Sequence, residues 1–132
     1  ERFIAKHSID KYARNPHFPV NTLHIMRGAC YSLDKGFAEE FIEAMFQCMW
    51  ERGLNMSDPE VIGEALSEYG LPAADIIAGS QDPAVKQILI DHTTASVERG
   101  NFGSPTFFVN DEMFFGKDRL RDAEEEILKI TS

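Results

Sequence analysis

Two short runs hold the residues whose types and spacing suit ligand chemistry: Gly103-Ser104-Pro105-Thr106 and Phe115-Gly116-Lys117-Asp118-Arg119. Pro105 opens a β-rich run. A proline there is either an ordinary trans start to a strand or a cis X-Pro bond that orients the preceding backbone toward a ligand. Asp118 stands where a helix begins and is expected to cap it by accepting from the free N–H groups of the first turn. The same helix start attracts anions. The Lys117 backbone N–H is available to a carboxylate, and Arg119 reads as one side of a structural ion pair.

The remaining reactive side chains give weaker signals. Cys30 and Cys48 lie 18 residues apart with no CxxC and no His/Cys cluster, which argues against structural zinc and against a disulfide scaffold. Each sits among apolar neighbours on an expected helix. With no adjacent base or helix N-terminus to lower its pKa, each reads as a small hydrophobe rather than a nucleophile. His92, on the apolar face of its helix, is expected to be a hydrogen-bonded core histidine rather than a proton-transfer group. His17, between prolines in an extended segment, has more reason to face a cleft, although a plain surface position remains the simpler reading. His7 and His24 carry no signal.

These residues must be positioned by one domain's worth of chain. The 132 residues are 43% hydrophobic and 27% charged, a globular composition without the bias of a disordered tail. Acidic residues outnumber basic ones 22 to 13, for a formal charge of −9. That field repels phosphate backbones and disfavours nucleic acid as a partner. No apolar run approaches the roughly 20 residues of a membrane span, and no signal peptide opens the chain.

An amphipathic helix is expected through Phe3, Ile4, His7, Lys11 and Tyr12, with no capping residue ahead of it. Pro16 and Pro19 then force an extended connector. Asn21 or Thr22 caps a helix from Leu23 to about Ser32, and Phe37 to Arg52 is apolar on most sides, as expected in the middle of a core. Asp58-Pro59, Leu71-Pro72-Ala73 and Asp82-Pro83 open three more helices, with Gly70 and Gly100 past two of the ends. Phe41, Met45, Trp50, Ile62, Leu66, Ile88 and Leu89 are expected inward, and the last long helix should bury Val85, Ile88, Leu89, His92, Ala95 and Ser96. Beyond Asn101, Pro105–Val109 and Glu112–Phe115 read as a hairpin turning at Asn110-Asp111. A final helix should turn Leu120, Ala123, Ile127 and Leu128 inward. A hairpin and one helix need more sheet than this sequence contains.

Gly103-Ser104-Pro105-Thr106-Phe107-Phe108-Val109, followed by a hairpin and helix, resembles the second half of a thioredoxin fold. Phe18-Pro19-Val20-Asn21-Thr22-Leu23 with Arg27 after it, the helical module, and Phe115-Gly116-Lys117-Asp118-Arg119-Leu120 narrow the match. Together they look like the DsbA-like subfamily containing 2-hydroxychromene-2-carboxylate isomerase and kappa-class glutathione transferases, over essentially all of residues 1 to 130. The fold class implied is α/β, thioredoxin-like (DsbA-like) with a large all-helical insertion, mostly helical in this chain. Residues 1–100 would form the helical insertion, with the tail of a preceding connector helix, and 101–132 the C-terminal ββα half. The family's N-terminal βαβ half, with its catalytic Ser or Cys, is absent from this sequence. The short passage from Ala13-Arg14 into Asn15-Pro16 suggests a missing loop there. An incomplete chain is the expectation on both counts.

The resemblance further implies a role for each motif residue. The Ser104–Pro105 bond would be cis, with the backbone before Pro105 pairing with the cysteinyl backbone of glutathione like an added strand. Asp118 would accept the α-ammonium of the γ-glutamyl group, and the Lys117 N–H would meet its carboxylate. Many family members have a small hydroxyl residue at the position of Lys117, so its side chain has no carried-over role. The activity implied is a glutathione-dependent isomerase of aromatic catabolism, with glutathione as a recycled cofactor, a small aromatic-derived substrate and a cytoplasmic location. A homodimer is compatible with this. A kappa-like glutathione transferase, a DsbA-like thiol oxidoreductase with CxxC in the other half, and a non-enzymatic helical module paired with another subunit are the alternatives.

Overall fold

A computed structural model describes residues Arg2–Thr131. The chain forms two compact units that divide between Asp91 and His92. In the first are α1 (Arg2–Lys6), α2 (Leu23–Lys35), α3 (Ala38–Trp50), α4 (Pro59–Glu68), α5 (Ala73–Gln81) and the first half of α6 (Pro83–Glu98). The second holds the rest of α6, β1 (Thr106–Val109), β2 (Glu112–Phe115), a 3-10 turn at Lys117–Arg119 and α7 (Leu120–Thr131).

Local chemistry sets the helix starts. Asp58 Oδ1 accepts from Glu60 N at 2.9 Å with Pro59 as the first helical residue, and Asp82 Oδ1 accepts from Ala84 N at 2.8 Å with Pro83 in the same place. Each side chain satisfies an N–H that the helix itself leaves free. At α2 the work is done by Asn21, whose Oδ1 accepts from Leu23 N at 3.0 Å, while Thr22 makes no side-chain cap bond. The helix then runs to Lys35, one turn-fraction beyond the expected end at Ser32.

The first unit packs α2 on α3 and α5, and α4 on α3 and α5. Its core is Phe41, Ala44, Met45, Cys48, Met49, Met56, Ile62, Ala65, Leu66 and Ile76, with Trp50 partly buried against it. Three expectations are corrected. The first helix stops at Lys6 instead of reaching Tyr12, because Ser8 turns to φ 52 and the Ser8 and Ile9 N–H groups close back on Ala5 and Ile4 carbonyls. On α3 only one side is core: Ile42 and Phe46 are exposed, Phe46 by 62%. In α6 only Val85 is buried; Ile88 and Leu89 are half-buried, and His92 and Ala95 are exposed. Its apolar residues, with Ile90 and Val97, are spread around the helix rather than gathered in one stripe, so no single face closes over them.

In the second unit β1 and β2 pair antiparallel, Thr106 opposite Phe115 and Val109 opposite Glu112, through a turn in which Asn110 takes φ 52. Asn tolerates that left-handed backbone better than most residues. The sheet is two strands wide, and α7 packs against both. Phe114 and Ala123 are buried, but Leu120, Ile127 and Leu128 are about half exposed, contrary to the expectation that they point inward. Two four-residue strands offer too little surface to cover a twelve-residue helix.

Phe41 is 1% exposed at the centre of the first core. Phe41→Ala is expected to cost about 3–5 kcal/mol in denaturant unfolding; a loss below about 1 kcal/mol would place α3 elsewhere.

Candidate functional site

The two motifs named above lie 12 or 13 residues apart in sequence, and the hairpin brings them to one end. Gly116 N donates to Pro105 O at 2.9 Å, extending the ladder one pair beyond β1 and β2. Ser104-Pro105 and Lys117-Asp118 therefore flank the same rung. By the alternation of an antiparallel ladder, Phe107 and Val109 share hydrogen bonds with β2, while the backbone groups of Thr106 and Phe108 point away from it. That leaves a strand edge beside the start of α7. The Ser104–Pro105 peptide bond is cis, as is Phe18–Pro19.

The loop before Pro105 is fixed by Asn101, a residue that gave no sequence signal. Asn101 Oδ1 accepts from Gly103 N at 3.0 Å and its Nδ2 donates to Ser96 Oγ at 2.8 Å. The Thr106 hydroxyl donates to Gly103 O at 2.6 Å and lies 3.0 Å from Asn101 Oδ1. A Cβ on Gly103 would meet the Phe115 ring at 2.9 Å, so only glycine lets the loop lie this close. Phe102 and Phe115 pack at 4.6 Å between ring centroids.

On the other side, Gly116 adopts φ 98 and precedes the 3-10 turn. Asp118 lies inside this turn, directly before α7. Where a capping bond is expected of Asp118, its Oδ1 accepts from Lys117 Nζ at 2.6 Å, and the carboxylate side chain is 86% exposed. Arg119 pairs with Asp122 one turn on, the structural pair the sequence suggests. Ser104, Pro105, Lys117 and Asp118 are all solvent-exposed.

The residues outside this cluster behave more simply. His92 is exposed, so a core-histidine role is corrected, and His17 is exposed as well. Asn15, read only as part of the extended connector, is 2% exposed. Its Nδ2 donates to Met49 O at 2.9 Å and Leu54 O at 2.8 Å, and its Oδ1 accepts from His17 N at 2.7 Å. The Asn-Pro dipeptide signals a turn, but partners 34 and 39 residues away leave no local signature. Among the described residues no group of three or more His, Cys, Asp or Glu is arranged to hold a metal. No helix among them is long and apolar enough to cross a membrane.

With this geometry in view, the chain matches the DSBA-like thioredoxin domain family over residues 4–128. The chain belongs to that family. Curated relatives of this DSBA-like chain include the 2-hydroxychromene-2-carboxylate isomerase of Sphingobium xenophagum, 30% identical over 100 residues. The protein of the same name from Pseudomonas sp. (strain C18) is 32% identical over 108 residues. These stretches cover 76% and 78% of the chain but 51% and 50% of the relatives, so the chain spans about half their length. A solved 2-hydroxychromene-2-carboxylate isomerase superposes with a TM-score of 0.81 at 22% identity, over 98% of this chain and 63% of that one. The DsbA-like thioredoxin fold, mostly helical with a small two-stranded sheet, is therefore the fold of this chain.

Both cysteines are buried, and burial raises the pKa of each thiol; at Cys48 the nearby Arg52 opposes that rise without cancelling it. A thiol raised in the folded state stays protonated where the unfolded one ionises, so its contribution to stability is whole below the unfolded value and is lost as pH rises above about 8.5. Unfolding free energy should accordingly fall on going from pH 8 to pH 10, less so in a Cys30→Ser/Cys48→Ser variant. At neutral pH a thiol reagent should modify both cysteines only as fast as the protein opens. Rapid labelling of the native protein would contradict the burial.

Proposed function

We propose that this DSBA-like chain is part of a glutathione-dependent isomerase acting on a 2-hydroxychromene-2-carboxylate-like compound. The observation that carries the reading is the rung between Pro105 and Gly116, which sets a strand edge beside an exposed carboxylate and a helix start. Glutathione is a peptide with an ammonium group and a carboxylate at its γ-glutamyl end. A strand edge at Ser104 suits its backbone, Asp118 its ammonium, and the Lys117 backbone N–H its carboxylate. That donor and acceptor set fits the molecule. The names carried by the relatives favour isomerisation over conjugation or thiol oxidation.

Bound glutathione would supply a thiol that adds reversibly to the conjugated substrate, frees a bond to rotate, and leaves unchanged. The residues of this chain bind and orient. The Ser104 backbone before Pro105 pairs with the cysteinyl backbone, and Asn101 keeps that segment in place for it. Asp118 fixes the γ-glutamyl end. The group that stabilises the thiolate is expected on a βαβ half, outside the helical module (1–100) and the ββα half (101–132) in this sequence. The substrate's aromatic ring and the second-copy partner belong to that fuller assembly.

Asp118→Asn tests the site cleanly, because Asn caps a helix about as well as Asp and keeps the shape of the side chain. Loss of a charged partner is worth roughly 1.5–3 kcal/mol in a desolvated site. At a carboxylate this exposed, solvent reduces that to about 1 kcal/mol, or roughly fivefold in the dissociation constant of reduced glutathione. Calorimetric titration measures it, and equal constants for wild type and variant would remove Asp118 from the site. Residues 1–132 alone should bind glutathione weakly and isomerise nothing; turnover by this chain alone would contradict the assignment of the thiolate-stabilising group to another half.

A further inference from the structure

The aromatic cleft beside the C-terminal end of α3 is not used by the proposed isomerase chemistry. Trp50 packs on Tyr12 with ring centroids 6.0 Å apart and an interplanar angle of 24°, and on Phe18 at 5.9 Å. The Ala13 N–H donates to Trp50 O at 2.7 Å, tying the Tyr12 segment to this helix end. Together Tyr12, Phe46 and Trp50 line a cleft of about 260 Å³ with Gln47, Glu43 and Glu51. Phe46 presents 62% of its surface and Tyr12 41%.

The charged residues that line this cleft, Glu43 and Glu51, are of one sign. Glu43 accepts from a neutral amide, Gln47 Nε2 at 2.6 Å, and has no ion-pair partner among the described residues; Gln47 is held in turn by the Tyr69 hydroxyl at 2.8 Å. Glu51 has no ion-pair partner among the described residues. Arg52, the next residue, is turned away to Glu68 at 2.7 Å. None of the residues lining the cleft is basic. Ring faces carry the negative end of an aromatic quadrupole, so rings and carboxylates here attract the same species. The chain's net charge of −9 adds to that field. An aromatic carboxylate, by contrast, would meet two negative groups.

We propose that this cleft binds a small free organic cation of the quaternary-ammonium type. Its size, just below the roughly 300 Å³ at which drug-sized pockets begin, suits a compact ligand. The rings meet the cation's methyl groups, and Glu43 and Glu51 neutralise its charge without a proton having to move.

Trp50 is the chain's one tryptophan, so its fluorescence reports the cleft directly. Titration of the 132-residue chain with choline should change that fluorescence saturably, with a dissociation constant in the millimolar range. The neutral isostere 3,3-dimethyl-1-butanol should bind at least several-fold more weakly, and added salt should weaken choline alone. Phe46→Ala and Glu51→Gln, both at exposed positions, should each weaken choline roughly two- to fivefold. Equal binding of choline and its isostere would make the cleft a plain apolar groove and overturn the proposal. Tighter binding of benzoate than of choline, or no saturable response to choline, would also overturn it. Each result is independent of glutathione binding at the hairpin.

Discussion

A single backbone hydrogen bond, from Gly116 N–H to Pro105 O at 2.9 Å, carries the hairpin ladder one residue past both strands. Because the pairing fixes which residues stand opposite one another, slipping this register by one residue would move Ser104 and Pro105 away from their place beside Lys117 and Asp118. The neighbouring contacts serve that rung. Asn101 and Thr106 hold the loop on one side, and the Phe115 ring packs where Gly103 leaves room. On the other side Gly116 turns the chain into the helix that Asp118 precedes.

The first unit is built on different physics. Its core of methionines, Phe41, branched aliphatic and small residues is closed by helices whose starts are fixed by Asp58, Asp82 and Asn21. Asn15 satisfies two carbonyls, one at the end of α3 and one in the loop after it, and so ties the connector to the core by hydrogen bonds beside the Phe18–Trp50 contact. A buried amide with three partners is costly to replace, since each carbonyl left unpaired loses a hydrogen bond it cannot regain from water.

What could be read from the sequence follows from how local each signal is. Asp-Pro starts, the Asn110 turn and the hairpin are dictated by neighbouring residues, and they stand where the pattern puts them. Burial is not local. Leu120, Ile127 and Leu128 have the spacing of a core face, yet whether they are covered depends on how much sheet lies opposite. The apolar runs of α3 and α6 carry the same ambiguity, and Phe46 and His92 fall on the exposed side of it. The candidate site was legible only through the resemblance, because Ser104, Pro105, Lys117 and Asp118 are ordinary residues whose meaning lies in their pairing across the hairpin. Asn101 and the Tyr12–Trp50 stack join residues that no short window relates.

The central claim is that one strand edge and one helix start form a single glutathione site. Backbone amide chemical shifts recorded during titration with reduced glutathione test it residue by residue. The account predicts concerted shifts at Ser104, its neighbour Thr106 across Pro105, and Lys117 through Arg119, following one binding curve. Shifts confined to α2–α5, or two curves for the two sides of the hairpin end, would contradict it.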